Sequence, residues 1–278
     1  MNYPYFCLDD SPFFRMIELD EVDSTNTFLR NYRPFQPVAV TLVTAEHQSA
    51  GRGQAGNHWE AEAGKNLLFS LLLHPSTLPA SRAFVLSEAI ALSIREAVAL
   101  PQVTVTVKWP NDIYADDQKI AGILIENDLH GQHIGRSIIG CGVNVNQREW
   151  DLNKGNWRME DGRWSVIPVS LAQLTGHEEE RRFVLEHIMA GFMRRYEQIQ
   201  RGNYDAIHAD YLTALYRRNG LHPYHDKGGD FMAEIADVEQ SGHLVLRDSE
   251  GHLHRYAFKE VSCLRSGESD EHSGQERP

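Results

Sequence analysis

Residues 51–56, GRGQAG, decide which fold the sequence predicts, because they have the G-x-G-x-x-G spacing of a dinucleotide-binding fold. In that fold the string follows a strand directly, opens a helix, and precedes an acidic residue about 20 positions later. Here residues 57–65, NHWEAEAGK, follow, and this composition is typical of a loop. The context argues against a Rossmann fold and an NAD-dependent oxidoreductase. It favours a glycine-rich loop that an anionic ligand can approach closely, with a purely structural turn as the alternative.

Outward from this loop, the hydrophobic patterns predict a mixture of strands and helices. Apolar runs typical of strands occur at residues 38–44, 66–73, 103–107, 122–125 and 138–145. Helical periodicity occurs at residues 24–31, 81–100, 178–201 and 204–217. Short alternating segments follow at residues 231–237, 243–248 and 252–258, separated by turn residues. We therefore expect an α+β fold, in which a mixed sheet is flanked by helices and a small β-barrel or meander follows.

These patterns divide the chain into three regions. We expect a large domain at residues 1–219, a small β domain at residues 220–265, and a disordered tail at residues 266–278, which is polar and without periodicity. Residues 147–168 contain three tryptophans and show no periodicity, which predicts a mobile loop.

Composition and charge limit the possible partners. The 278 residues include 27 Lys and Arg against 39 Asp and Glu, a formal net charge of −12, which disfavours binding to nucleic acid or to an anionic membrane. Cys7, Cys141 and Cys263 form no C-x-x-C pair, which fits a reducing compartment. No apolar stretch approaches the roughly 20 residues of a membrane-spanning helix, and the N-terminus does not resemble a signal peptide. We therefore expect a cytoplasmic protein.

Three further motifs place polar groups beside apolar strands. Residues 108–112, KWPND, end a strand, where Asp112 could hold Mg²⁺ or a ribose hydroxyl, or simply cap a turn. Residues 119–126, KIAGILIE, put Lys119 at the edge of a strand as a phosphate clamp, unless it faces solvent. Residues 140–146, GCGVNVN, allow a ligand to lie against the backbone, with a bulged strand as the alternative. The planar guanidinium of Arg52 adds a donor fork for carboxylate or phosphate. Taken singly, none of these motifs decides the function.

Other common site signatures are missing or weak in the sequence. It contains neither a Walker A phosphate loop nor an H-E-x-x-H zinc motif. His252 and His254 share one face of a predicted strand, but no third ligand accompanies them. We therefore interpret them as surface histidines.

Taken in order, the motifs resemble those of the biotin protein ligases. That family carries S-T-N, Q-x-A-G-R-G, K-W-P-N-D, K-[IL]-A-G-I-L and G-x-N-x-N, which stand here at residues 24–26, 48–53, 108–112, 119–124 and 142–146. The resemblance is strong over residues 16–146 and continues into the small β domain. It implies a class II synthetase-like catalytic domain and an SH3-like barrel. Few residues precede the first motif, so we expect the short form without an N-terminal DNA-binding domain.

The resemblance also implies a reaction and its partners. Members condense biotin with ATP to biotinyl-5′-adenylate and pyrophosphate, and then transfer biotin to a lysine of a biotin carboxyl carrier protein or of the carrier domain of a carboxylase. ATP and Mg²⁺ are the implied cofactors, nucleic acid and membranes are not expected partners, and the implied assembly is a monomer or a homodimer.

The family motifs assign roles to individual residues. Arg52 and Lys119 are the implied catalytic residues. The implied biotin-binding residues are Ser24, Thr25, Asn26, Gln48, Gly51, Arg52, Gly53, Gln54, Lys119 and Gly122. The implied ATP-binding residues are Arg52, Trp59, Asn111, Asp112, Lys119 and Asn144, and Asp112 is also the implied Mg²⁺ ligand. From the residues alone, an ordinary helix N-cap is favoured over a ligand role for Ser24 and Thr25, and plain packing is the more common role of a tryptophan such as Trp59.

The chain departs from the family pattern in its glycine-rich loop. Gln54 and Ala55 replace basic residues, so Arg52 is the one cation in residues 51–56. We expect such a loop to hold the adenylate less tightly and to release it to unrelated lysines. Two rival functions remain: a lipoate protein ligase, expected to lack the Gly-Arg-Gly loop, and a noncatalytic biotin-sensing module, which would not need a phosphate clamp such as Lys119.

Overall fold

The computed structural model describes residues 13–36, 38–54, 57–150 and 167–264, whose strands form two sheets. The strands of the first sheet are β1 (Phe14–Val22), β2 (Val40–Gln48), β3 (Leu67–Leu73), β4 (Val105–Lys108), β5 (Asp112–Ala115), β6 (Gln118–His130) and β7 (His133–Val143). Their spatial order is β1-β2-β3-β7-β6-β5-β4. The β1–β2 pair is parallel and the other neighbouring pairs are antiparallel, so the sheet is mixed.

Strand β3 lies inside this sheet, between β2 and β7, and its sequence, LLFSLLL, is buried along its whole length. Successive side chains of a strand point to opposite faces. On one face, Leu72 packs with Val43 and Ile138 against Leu29 of the helix α1 (Thr25–Asn31). On the other face, the odd-numbered residues of β3 belong to the main core.

The main core is covered by a second layer of helices. They are α2 (Val85–Ala97), α3 (Leu171–Thr175), α4 (Arg181–Gln200) and α5 (Asp205–Ala214), and a 3₁₀ turn at Ala80–Arg82 precedes α2. Helix α2 packs on β4, β5 and β6, and helices α4 and α5 pack against α2. Within the described residues, no helix is long and apolar enough to cross a membrane.

The second sheet follows α5 and is antiparallel throughout. It consists of β8 (His222–Asp226), β9 (Gly229–Val238), β10 (Leu244–Asp248), β11 (Leu253–Tyr256) and β12 (Val261–Cys263), in the order β11-β10-β9-β8-β12. We call it the barrel sheet. It is attached to the first sheet at Trp109, whose Nε1 donates to the carbonyl of Gly242 at 2.9 Å and whose ring stacks on Phe258.

The predicted α+β fold, with a mixed sheet, flanking helices and a second C-terminal sheet, is confirmed. The chain leaves helix α5 at residue 214 and enters the second sheet at residue 222. A domain boundary at residue 219 stays a prediction. The predicted tail at residues 266–278 and most of the predicted loop, residues 151–166, lie outside the described residues.

Several predicted elements need correction. Strands β1, β5, β8 and β12 were not predicted, and β6 extends well beyond residues 122–125 because β7 pairs with it as far as His130. The helix predicted at residues 81–100 begins at Val85, since residues 80–82 form the 3₁₀ turn. Ser24 stands at the N-cap of α1, but its side chain makes no capping hydrogen bond.

Candidate active site

Two glycines form the floor of the site. Gly122 on β6 and Gly142 on β7 are directly paired across the sheet, and the indole of Trp59 lies over both. A Cβ atom added at Gly142 would be 2.2 Å from Cε2 of Trp59, and one added at Gly122 would be 2.8 Å from Cζ3. Side chains are therefore excluded at both positions, and a flat group can rest directly on the backbone.

A buried polar network closes one end of this floor. The backbone N–H of Thr25 donates to Oε1 of Gln48 at 2.8 Å, and the Thr25 hydroxyl lies 3.1 Å from the same oxygen. The hydroxyl of Ser70 lies 2.7 Å from the Thr25 hydroxyl and 2.6 Å from Oδ1 of Asn26. A Cβ at Gly140 would be 2.2 Å from that Oδ1. The strand glycines therefore also make room for the start of α1.

Lys119 and Asp112 lie together at the other end of the floor. Nζ of Lys119 is 2.7 Å from Oδ1 of Asp112 and 5.5 Å from the centre of the Trp59 ring. The antiparallel pairing of β5 with β6 sets this approach, because it places Asp112 opposite Gly122. Both side chains are about one-fifth exposed, so the ion pair is reachable from the cavity.

Arg52 is bound to a carboxylate that the sequence did not point to. Its Nη2 lies 3.0 Å from Oε1 of Glu126 and its Nη1 lies 3.4 Å from Oε2. Glu126 also accepts from Arg30 and, at 3.1 Å, from Nδ2 of Asn26. The charge of Arg52 is thus partly neutralised, and an anionic ligand has to compete with Glu126 for the guanidinium.

Two cavities of very different size meet at this site. The smaller, about 50 Å³, lies beside the polar network. The larger, about 390 Å³, lies between the first sheet and the barrel sheet. Trp59, Asp112 and Lys119 line both cavities, so the ion pair stands where they meet.

Asn144 borders the larger cavity and holds the strand ends together. Its Nδ2 donates to the carbonyl of Val169 at 3.1 Å and lies 3.3 Å from the carbonyl of Lys119. Its Oδ1 is buried and has no hydrogen-bond partner within the described chain. A buried acceptor without a partner is energetically unfavourable, so a hydrogen bond from a ligand N–H group to this oxygen would be stabilising.

The residues around Asp112 fit a metal ion that arrives with a phosphate ligand. Over residues 13–36, 38–54, 57–150 and 167–264 there is no group of three or more His, Cys, Asp or Glu side chains that could hold a metal by itself. Mg²⁺ commonly takes one or two protein carboxylates and completes its shell with substrate phosphates and water. Asp112 offers one such carboxylate. His252 and His254 instead both lie against Asp248, at 3.4 and 2.7 Å.

Known proteins match this chain in sequence. A model of the biotin/lipoate A/B protein ligase family matches residues 19–144. The biotin–[acetyl-CoA-carboxylase] ligase of Paracoccus denitrificans is 31% identical over 236 residues, which are 84% of this chain and 94% of that protein. The chain belongs to the biotin protein ligase family.

Two further matches agree with this membership. The bifunctional ligase/repressor BirA of Bacillus spizizenii is 28% identical over 85% of this chain and 70% of its own length. The structure of the biotin protein ligase from Aquifex aeolicus in complex with biotin and ATP superimposes with a TM-score of 0.71, covering 91% of this chain and 99% of that one. At 24% identity, the latter match supports the fold. The chain is thus a biotin ligase.

The site residues predicted for this biotin ligase lie along the two cavities, and six of them line both: Gly53, Gln54, Trp59, Asn111, Asp112 and Lys119. All the predicted biotin-binding residues except Gly51 line the smaller cavity. All the predicted ATP-binding residues except Arg52 line the larger one. Gly51 lies under Trp59, where an added Cβ would be 2.5 Å from the Trp59 carbonyl oxygen, and Asn111 also donates from its side chain to the carbonyl of Ile123.

Sequence reasoning missed Ser70 and Glu126. Ser70 interrupts an otherwise apolar strand, LLFSLLL, and a lone hydroxyl in a buried run was the available signal. Glu126 closes the KIAGILIE motif, but its partners Arg52 and Asn26 lie 74 and 100 positions away, so no local pattern reveals them. Burial raises the pKa of the Cys141 thiol at the smaller cavity far above its usual value, which favours the protonated form over the more nucleophilic thiolate.

Proposed function

We propose that this chain condenses biotin with ATP to biotinyl-5′-adenylate, with Lys119 beside the reacting groups. It then transfers the biotinyl group to a lysine of a biotin carboxyl carrier protein. In the first step a carboxylate oxygen of biotin bonds to the α-phosphorus, and pyrophosphate leaves with the electron pair of the broken P–O bond. In the second step the neutral acceptor amine attacks the carbonyl carbon, AMP leaves with the electron pair of the broken C–O bond, and the nitrogen loses one proton to solvent. The observation that carries the proposal is the position of Lys119 at the junction of the two cavities.

Electrostatics explains why a cation has to stand at that junction. The first step brings together two anions, the carboxylate and the α-phosphate, which repel each other until a fixed positive charge lies between them. Nζ of Lys119 can serve both, since its present partner is a single carboxylate oxygen of Asp112. Asp112 is then the proposed ligand of the Mg²⁺ that accompanies ATP.

The smaller cavity fits the biotin end of the reaction. The ureido ring of biotin both donates and accepts hydrogen bonds, and the network of Thr25, Gln48 and Ser70 supplies matching groups. At about 50 Å³ the cavity is much smaller than the roughly 300 Å³ at which ligand pockets begin. Trp59 therefore has to leave the glycine floor when biotin binds, and we propose that it then covers the adenylate.

The larger cavity fits ATP. The partnerless Oδ1 of Asn144 can accept from the amino group of adenine, and Asp112 and Asn111 lie along the same wall. Arg52 lines the smaller cavity and not the larger one. We therefore propose that its guanidinium leaves Glu126 when the ligand binds, and then contacts the biotinyl end of the adenylate.

The decisive experiment is biotin-dependent exchange of labelled pyrophosphate into ATP. We expect exchange in the wild type and a 100- to 1000-fold loss, roughly, in Lys119→Ala, the usual consequence of removing one transition-state charge partner. Lys65→Ala is the matched control, because Lys65 also forms an ion pair, with Glu178 at 3.0 Å, but lies elsewhere on the surface. Its exchange rate should equal that of the wild type.

Other outcomes would identify the rival functions. Exchange that requires lipoate rather than biotin would make the chain a lipoate ligase. Biotin binding without any exchange would make it a sensing module. The proposed acceptor is tested by adding a carrier domain and locating the biotinylated lysine by mass spectrometry.

The remaining proposals concern nucleic acid, location and assembly state. With a net charge of −12, the chain is not expected to bind nucleic acid, and we propose that it acts in the cytoplasm as a monomer or homodimer. Sedimentation with and without biotin and ATP measures the assembly state. A gel-shift assay with duplex DNA checks the first expectation.

A further inference from the structure

Lys259 has a backbone conformation that its side chain disfavours. It lies in the turn between β11 and β12, where its φ is +68°. The N–H of Ala257 donates to the Glu260 carboxylate at 2.7 Å, and the N–H of Glu260 donates to the Ala257 carbonyl at 3.2 Å, which closes the turn. Glycine adopts this left-handed conformation without the clash that a Cβ introduces. Strain of this kind is often found at functional sites.

The turn is fixed beside the KWPND hairpin. Phe258, the residue before Lys259, stacks on Trp109 with 5.3 Å between ring centres and 25° between planes. Trp109 is anchored to the barrel sheet a second time through Gly242. As a result, Lys259 borders the larger cavity from the barrel sheet, while Lys108 borders it from the first sheet.

The two lysines line the cavity into which the end of a triphosphate has to extend. In the proposed function the α-phosphate lies at Lys119, where the two cavities meet. The smaller cavity, about 50 Å³, has no room for further phosphates, so the β- and γ-phosphates extend into the 390 Å³ space. Lys108, which lies 3.0 Å from the hydroxyl of Tyr114, and Lys259 are cations on the walls of that space.

We propose that Lys259, acting with Lys108, binds the β- and γ-phosphoryl groups of ATP, so that pyrophosphate leaves between the first sheet and the barrel sheet. This inference rests on the proposed function and extends it by giving the barrel sheet a part in the adenylation step. When the bond from the α-phosphorus to the bridging oxygen breaks, the electron pair moves onto pyrophosphate. An ammonium at that end stabilises the departing charge.

Lys259→Gly tests this role apart from folding, because it removes the ammonium and also relieves the left-handed backbone. We expect a melting temperature equal to or above that of the wild type. The KM for ATP and the inhibition constant of pyrophosphate should each rise about tenfold, the effect of losing one hydrogen bond to a charged group. The KM for biotin and the inhibition constant of AMP should not change, and Lys259→Arg should keep most of the affinity for ATP.

The control variant is Arg247→Gln, which removes an exposed cation of the barrel sheet that pairs with Glu234. It should leave the KM values for ATP and biotin and the inhibition constants of pyrophosphate and AMP unchanged. If the wild type shows no biotin-dependent exchange, the proposed function itself fails. If the wild type exchanges and Lys259→Gly keeps its affinities for ATP and pyrophosphate, this inference alone is overturned. Equal losses for biotin and ATP with a lower melting temperature would also overturn it, because they would assign Lys259 to the fold.

Discussion

At the scale of single residues, both cations proposed to bind the anionic intermediate already have acidic partners. The guanidinium of Arg52 is shared with Glu126, and the ammonium of Lys119 with Asp112. Gln54 borders both cavities but carries no charge. An adenylate bound here therefore meets weaker electrostatic attraction than it would beside a second arginine.

We predict that Gln54→Arg reduces leakage of biotinyl-adenylate. Biotinylation of an unrelated protein at saturating ATP should fall about tenfold, the worth of one charge-assisted hydrogen bond, whereas biotinylation of a carrier domain should persist. The measurement is avidin blotting of both acceptors, with Gln54→Glu as a variant of opposite sign that should increase stray labelling. Absence of stray labelling in the wild type would show that the neutral loop is sufficient for retention.

At the scale of the elements, the register of two strands creates the binding floor. Pairing of β6 with β7 sets Gly122 opposite Gly142, and the same register sets Leu124 opposite Gly140. A shift by one residue would turn these glycines to the other face and bring side chains under Trp59. The two glycines therefore form a floor because the strand register places them side by side.

Gly142→Ala should disturb this floor directly. The added methyl group would occupy the floor on which biotin is proposed to bind once Trp59 has left, and overpacking of this kind usually has an effect of about 1–3 kcal/mol, which corresponds to at least a fivefold rise in the dissociation constant for biotin. Titration calorimetry measures the affinity, and tryptophan emission reports the displaced ring. Gly135→Ala, on the same strand, is the control and should bind normally. Wild-type affinity in Gly142→Ala would show that biotin does not use this floor.

At the scale of the whole molecule, a buried charge links the helices to the barrel sheet. Glu88 on α2 is only 2% exposed, and its Oε1 lies 2.7 Å from Nδ1 of His208 on α5. The other ring nitrogen of His208 lies 3.9 Å from Asp237 on β9. The hydrogen bond to Glu88 raises the pKa of His208, against the opposing effect of burial, with Asp237 and Asp205 adding attraction.

Stability should therefore depend on pH through His208. Because its pKa is raised in the folded state, the stabilisation is complete below the unfolded value of about 6.5 and is lost as pH rises through the folded value. We expect the melting temperature of the wild type to exceed that of His208→Gln by more at pH 6 than at pH 8.5. Thermal unfolding followed by circular dichroism measures this difference. An equal difference at both pH values would contradict the prediction.

Much of the site was predictable because its motifs are local. In each motif a residue that lines a cavity lies next to the local feature that positions it. Arg52 lies between glycines, Asp112 at a hairpin, and Lys119 at the start of a long strand. These relations extend over a few residues, so a linear pattern preserves them. The strands with the weakest patterns, such as β5 with the sequence DIYA, were missed because pairing with neighbours, rather than their own composition, makes them strands.

The sequence by itself determined the α+β class, the family resemblance and the residues from which the site is built, since hydrophobic period and motif order are properties of the chain. Only the tertiary structure decided which charges meet. Glu126 pairs with Arg52, 74 positions away, Trp59 lies on a glycine pair from two strands, and Lys259 lines the larger cavity from the second sheet. These contacts depend on strand register and on how the two sheets pack, and distances in space between remote residues are not encoded in any local pattern.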